Sequence, residues 1–253
     1  MYTKLFNKKG ILHVTSIDKI IGELLSNGEF SIQVSGRLAP SNPKGARQIP
    51  WIFINANVRH KFCSVWNSVY CGKFNLIPTH CRFNCWKTVI KPRNILELFD
   101  CYNALKSLDL PSKIGIDVRD YTYGAYAGFI YADSLEEGKR YYQLTRRQIS
   151  NKVPIILKRG CTEMEKLKPS NTWDDVSVEE LRLEERLNDL FQFNEINFYQ
   201  GGWLIQEIKE RWIKHSIKIG DKFAQEAAEK FSLNPDVWNN LVVSSVTYHD
   251  KEN

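Results

Sequence analysis

Residues 112–132, "SKIGIDVRDYTYGAYAGFIYA", hold two apolar runs, "KIGIDV" and "YAGFIYA", joined by "RDYTYGA". Their Ile, Val, Tyr and Phe content favours extended chain, and the connection suits a hairpin or a slightly longer antiparallel loop. A helix leads into this pair. Asn94 can cap it, Ile95, Leu98, Phe99, Tyr102 and Leu105 recur at three- and four-residue spacing, and Leu110-Pro111 ends it. A second helix leads out, opened by the Ser-x-x-Glu capping pattern of Ser134 and Glu137 before "LEEGKRYYQLTRRQIS".

Beyond the helices lie two more strands: the β-branched "WKTVIK", stopped by Pro92, and the apolar "VPIILKRG", which ends in a basic turn. Strand, helix, strand, strand, helix, strand is the split β-α-β order called ferredoxin-like, an antiparallel sheet of order 4-1-3-2 with both helices on one face. The expected fold class is therefore α+β, with a ferredoxin-like (βαββαβ) domain at 81–165. A small N-terminal α/β segment with a cysteine-bearing loop is expected at 1–80, and a helical region at 170–253.

In the N-terminal part "GILHVT" reads as a strand, "SIDKIIGELLS" as a helix closed by Asn27-Gly28, and "EFSIQVSG" as a half-buried strand through alternating Phe30, Ile32 and Val34. "LAPSNPKGARQIP" reads as a loop whose Lys44 and Arg47 suit either phosphate or solvent. In the last part, Ser177 and Glu180 make a second capping box ahead of Val178, Leu181, Leu187, Leu190 and Phe191. Gly201-Gly202 precedes "WLIQEIKERWIKHSIKI" and "DKFAQEAAEKFS", and a short helix follows Pro235.

The chain has 253 residues, 43% hydrophobic and 25% charged, an ordinary globular composition. No run of about 18 apolar residues occurs and the first segment lacks a secretory pattern, so a cytoplasmic protein without a membrane partner is expected. In a reducing compartment six cysteines point to metal or redox chemistry, not to a disulfide framework. The net charge of +6 favours an anionic partner such as nucleic acid, although the excess is thinly spread.

Strand order carries the cysteine argument. In a 4-1-3-2 sheet the start of strand one lies beside the end of strand four. Cys81 and Cys85 precede strand one and Cys161 follows strand four, so the three are expected at one end of the sheet. Cys63 and Cys71 lie upstream in a Gly- and Asn-bearing stretch that reads as a loop, giving Cys-x7-Cys-x9-Cys-x3-Cys; His60 and His80 are substitute ligands. Soft thiolates suit Zn²⁺ or an iron–sulfur cluster, with Lys73, Arg82, Lys87, Lys158 and Arg159 offsetting their charge. One Zn²⁺ requires sulfurs within roughly 4 Å of one another. A cluster spreads them to roughly 6 to 7 Å. Beside the metal reading stands cysteine as a small buried hydrophobe, the role expected of Cys101.

Several known patterns fail. The Cys-x3-Cys-x2-Cys of radical-SAM enzymes has Thr88 at its third position here. Phe129 and Tyr131 share a strand face, loosely like the base-stacking strand of an RNA-recognition motif, but Tyr126 faces the other way and strand one has no aromatic after Trp86. A polymerase-like palm would use Asp117 and Asp120, yet strand one ends in Lys91 and Pro92. No hydrolase, zincin or phosphate-loop motif is present.

The leading expectation is a metal-binding protein (Zn²⁺ or iron–sulfur) with a basic surface for nucleic acid. Lys209, Arg211, Lys214 and Lys218 are the candidates, spread broadly around one helix. The alternative is an iron–sulfur or metal-dependent enzyme using the cysteine site, with Cys161, Glu163 and Glu165 near the metal. The third reading is a structural or interaction protein without metal, its cysteines core residues and its helical C-terminal region binding a partner.

Overall fold

The computed structural model describes residues 2–6, 12–41, 51–55, 63–191 and 200–231. Lys44, Arg47, His60 and the helix expected after Pro235 lie outside them. In chain order the strands are β1 (Tyr2–Phe6), β2 (Leu12–Ser16), β3 (Phe30–Ile32), β4 (Leu38–Pro40), β5 (Trp51–Ile54), β6 (Trp86–Ile90), β7 (Ser112–Ile116), β8 (Tyr126–Ala132) and β9 (Ile155–Arg159). The helices are α1 (Ile17–Ser26), α2 (Cys63–Val65), α3 (Gly72–Phe74), α4 (Thr79–Phe83), α5 (Ile95–Leu108), α6 (Leu135–Gln148), α7 (Thr162–Leu167), α8 (Val178–Leu190), α9 (Gly202–Lys218) and α10 (Ala224–Lys230). A π-helical segment, Trp66–Cys71, joins α2 to α3.

These elements form two compact units, each assembled from separated stretches: 1–47, 57–86 and 159–197 in one, 48–56, 87–158 and 198–253 in the other. The stretch expected as a continuous helical region at 170–253 thus contributes α8 to the first unit and α9 and α10 to the second.

In the first unit β1 and β2 pair antiparallel, and so do β3 and β4. The strand expected through Val34 stops at Ile32. Gly36, at φ +77°, lets the chain turn back, and the amide of Gln33 donates to the carbonyl of Arg37. Val34 therefore sits fully exposed in a turn, while Leu38 and Ala39, expected in a loop, are buried in β4. Leu24, Phe30, Leu38, Val69, Leu187 and Phe191 belong to one apolar core. Residues 63–74, expected as a loop, are helical instead. Val65, Val69, Tyr70 and Phe74 are buried, and the π turn is closed by the Gly72 amide donating to the Asn67 carbonyl.

The second unit is built on a five-stranded antiparallel sheet of order β5-β7-β8-β6-β9. Trp51 pairs with Gly115 and Phe53 with Lys113, and Lys113 in turn faces Phe129. Alternation then places Ile52, Ile114 and Ile130 on the buried inner face. Gly128 lies among them because a Cβ there would meet Ile114 and Ile90 side chains at 3.4 Å. α5 and α6 pack on each other and on β7 and β8, and Trp212 of α9 meets Phe99 and Tyr102 edge-on. The outer edge of β5 is not left open. The Gln200 amide accepts from the Phe53 N–H at 2.8 Å and donates to the Trp51 carbonyl at 3.0 Å, as a neighbouring strand would.

The caps expected from local sequence are present. Asn94, Ser134 and Ser177 accept from the amides of Glu97, Glu137 and Glu180, and Ser177 with Glu180 closes a reciprocal capping box. At α6 the Glu137 carboxylate reaches one residue further, to the Asp133 amide. No helix among the described residues is long and apolar enough to cross a membrane.

Candidate metal centre

Cys81 stands in α4, a short helix that the first unit grips from both ends. At its start, the Glu184 carboxylate accepts from the Thr79 amide at 3.0 and 3.1 Å and from its hydroxyl at 2.9 Å. Toward its end, the Arg82 side chain is 1% exposed. Its Nε donates to the Ile77 carbonyl at 2.9 Å, Nη1 to the carbonyls of Trp173 and Asp175 at 3.3 and 3.1 Å, and Nη2 to Glu180 at 2.9 Å. A buried cation is tolerable only with such a set of acceptors. Arg82, expected among the cations that offset thiolate charge, therefore also ties α4 to the loop before α8.

Arg159, at the end of β9, tightens the same corner. Its Nε donates to the Arg82 carbonyl, its Nη2 to Asp174 at 2.7 Å, and its guanidinium lies 5.6 and 5.8 Å from the rings of Phe83 and Trp173.

The ends of β6 and β9 meet side by side. The Gly160 amide donates to the Cys85 carbonyl at 2.7 Å, and at the far end the Lys91 amide donates to the Pro154 carbonyl at 2.9 Å. Cys161 follows directly and caps α7 with extended backbone. Cys81 and Cys161 share an apolar cluster with Ile77, Met164 and Trp173, and Cys71 packs against it from the end of the π segment. Cys71 and Cys161 are close enough to interact electrostatically. Burial, then the charges of Cys161 and Glu163, push the Cys71 thiol up to about 12. Its Sγ donates to the Leu76 carbonyl at 3.4 Å.

Of the three cysteines expected at this end of the sheet, Cys81 and Cys161 share the apolar cluster and Cys85 meets Gly160 through its backbone carbonyl; Cys71, expected as a further upstream ligand, packs against the cluster. Cys63 begins α2 and is half-buried, and His80 stacks on Trp66 at 5.1 Å between ring centres. Among the described residues no three His, Cys, Asp or Glu side chains are gathered so as to hold one metal ion. Cys101 is buried in α5, where burial and the nearby Glu97 and Asp100 push its thiol up to about 12.

The basic residues expected to meet nucleic acid are divided. Lys209 lies over the Tyr102 ring at 4.7 Å, and burial with the nearby Lys106 charge lowers its pKa. Arg211 pairs with Glu207 at 2.5 Å, leaving Lys214 and Lys218 exposed on α9. Asp117, weighed as a palm carboxylate, is buried and takes Arg119 at 2.7 Å and Lys91 at 3.5 Å. Burial raises its pKa, but the hydrogen bonds and charge of Arg119, with the Lys91 charge, outweigh this and hold it below the usual range.

A concavity of about 550 Å³ in the second unit is lined by Arg93, Asn94, Tyr126, Asp221, Lys222 and Phe223. Its carboxylate is already committed, since Asp221 accepts from the Ile95 amide at 2.7 Å, the Tyr126 hydroxyl at 2.9 Å and the Phe223 amide at 3.1 Å.

The chain matches no family model, no curated protein and no solved structure.

Proposed function

We propose that the chain is a metal-binding protein whose cysteines hold an iron–sulfur cluster in the first unit, with Cys71, Cys81 and Cys161 as ligands and Cys85 or Cys63 as the fourth. The observation that carries this reading is the meeting of three thiols, from segments up to 90 residues apart, in and against one apolar cluster behind the Arg82 and Arg159 clamps. An apolar lining suits thiolate-bound iron, whose potential depends on burial and on hydrogen bonds to sulfur. A single Zn²⁺ would draw its thiolates to within roughly 4 Å. A cluster would instead spread them to roughly 6 to 7 Å. For the second unit we read a ferredoxin-like domain with an added edge strand. This is supported by the order β9-β6-β8-β7, by α5 and α6 as its two crossings, and by β5 lying outside β7.

Metal analysis of protein purified without oxygen tests the cluster reading. Brown protein with iron and acid-labile sulfide in equal amounts is expected. Colourless protein with one zinc per chain would replace it with a structural zinc site, and protein with neither metal would leave the cysteines as core residues.

A further inference from the structure

We infer that the outer face of β5, β7 and β8 binds single-stranded nucleic acid, with bases stacked on Trp51 and Phe129 and phosphates met by Lys113. The face is set by register. Phe53, Lys113 and Phe129 lie in one cross-strand row, and Trp51, Gly115 and Ala127 in the next. β5 and β8 are two strand spacings apart, roughly 9.6 Å. Yet the Trp51 and Phe129 ring centres are 5.7 Å apart. The two rings therefore meet across β7, over the position where Gly115 carries no side chain.

Cations alternate with these rings. Lys113 Nζ is 4.7 Å from the Trp51 ring centre and 5.4 Å from that of Phe129. The Arg119 guanidinium is 5.5 Å from the Tyr121 ring and 5.8 Å from that of Phe129. Trp51, Lys113, Phe129, Arg119 and Tyr121 are all half-buried, so part of each reaches solvent. No residue of β5, β7 or β8 is acidic. A face of flat rings on which the cations Lys113, Arg119 and Lys91 outnumber the one buried carboxylate, Asp117, complements a ligand that offers both π-faces and phosphates. Bases already paired in a duplex cannot present those faces, which selects single strands. This surface contains no cysteine and stands independently of the cluster reading.

Fluorescence anisotropy with a fluorescein-labelled 12-nucleotide strand of mixed sequence, made as DNA and as RNA, tests the inference and separates the two sources. Binding of at least one strand is expected, about tenfold tighter than the matching duplex. Trp51→Leu with Phe129→Leu should weaken it about tenfold or more. Lys113→Gln should reduce the log–log salt slope by about 0.7. Photocrosslinking of the wild-type complex, mapped by mass spectrometry, should mark the peptides carrying Trp51 or Phe129, whether or not the double variant folds. Absence of binding to both strands would overturn the inference. So would crosslinks confined to other surfaces, or equal affinity for polyglutamate, which would indicate a general anion or acidic-protein site.

Discussion

Gly160→Ala lowers the unfolding free energy of the protein by about 3 kcal/mol, the sum of a backbone and a packing cost. Gly160 has φ +61°, a left-handed conformation that costs an L side chain roughly 1 kcal/mol. A Cβ there would also lie 2.6 Å from Cη2 of Trp173, closer still to Cζ3, and 3.2 Å from the Cys81 carbonyl oxygen. The indole cannot yield easily, because Trp173 is 0% exposed and its Nε1 donates to the Lys168 carbonyl at 2.7 Å. Forcing such a contact typically adds 1 to 3 kcal/mol, roughly, through displaced neighbours. Chemical denaturation would show a lower midpoint at unchanged slope. A Gly160→Ala protein within about 0.5 kcal/mol of wild type would mean that the corner is looser than described.

Arg82→Met is expected to cost more, about 3 to 5 kcal/mol. Methionine fills much of the volume but leaves the carbonyls of Ile77, Trp173 and Asp175 without their donor and removes the Glu180 pair. Lysine should not rescue, since a compact ammonium cannot serve acceptors arranged around a planar fork. Glu180→Gln should be milder, about 1 kcal/mol, because that carboxylate is 29% exposed and hydrated on its free side. Equal stability of Arg82→Met and wild type in denaturant would show that the guanidinium is not what holds α4.

What could be read from the sequence followed the range of the interactions. Asn94, Ser134 and Ser177 were legible as caps because their partners lie three residues away. The nearness of Cys85 and Cys161 was legible because one antiparallel pairing, β6 with β9, brings Cys85 to Gly160. Longer-range features were not. The strand "WIFI" at 51–54 has no local signal that pairs it with β7, some 60 residues on. Residues 63–74 were misread because a π turn breaks the 3.6-residue period by which helices are recognised. Arg82 read as one cation among five near the thiols. Its burial depends on carbonyls about 91 to 93 residues later in the chain, which no local pattern reveals.

The central claim, that Cys71, Cys81 and Cys161 act together on one metal centre, is tested most directly by iron content in a cysteine series. Wild type, Cys71→Ala, Cys81→Ala, Cys161→Ala and Cys101→Ala would be purified without oxygen and assayed for iron per folded chain. Cys101, buried in α5 of the other unit, is the control for a lost core thiol. The account predicts that each of the first three variants loses most of its iron and melts at a lower temperature, because metal binding is coupled to folding, while Cys101→Ala keeps its iron. Full iron in Cys161→Ala, or the same loss in Cys101→Ala, would contradict it.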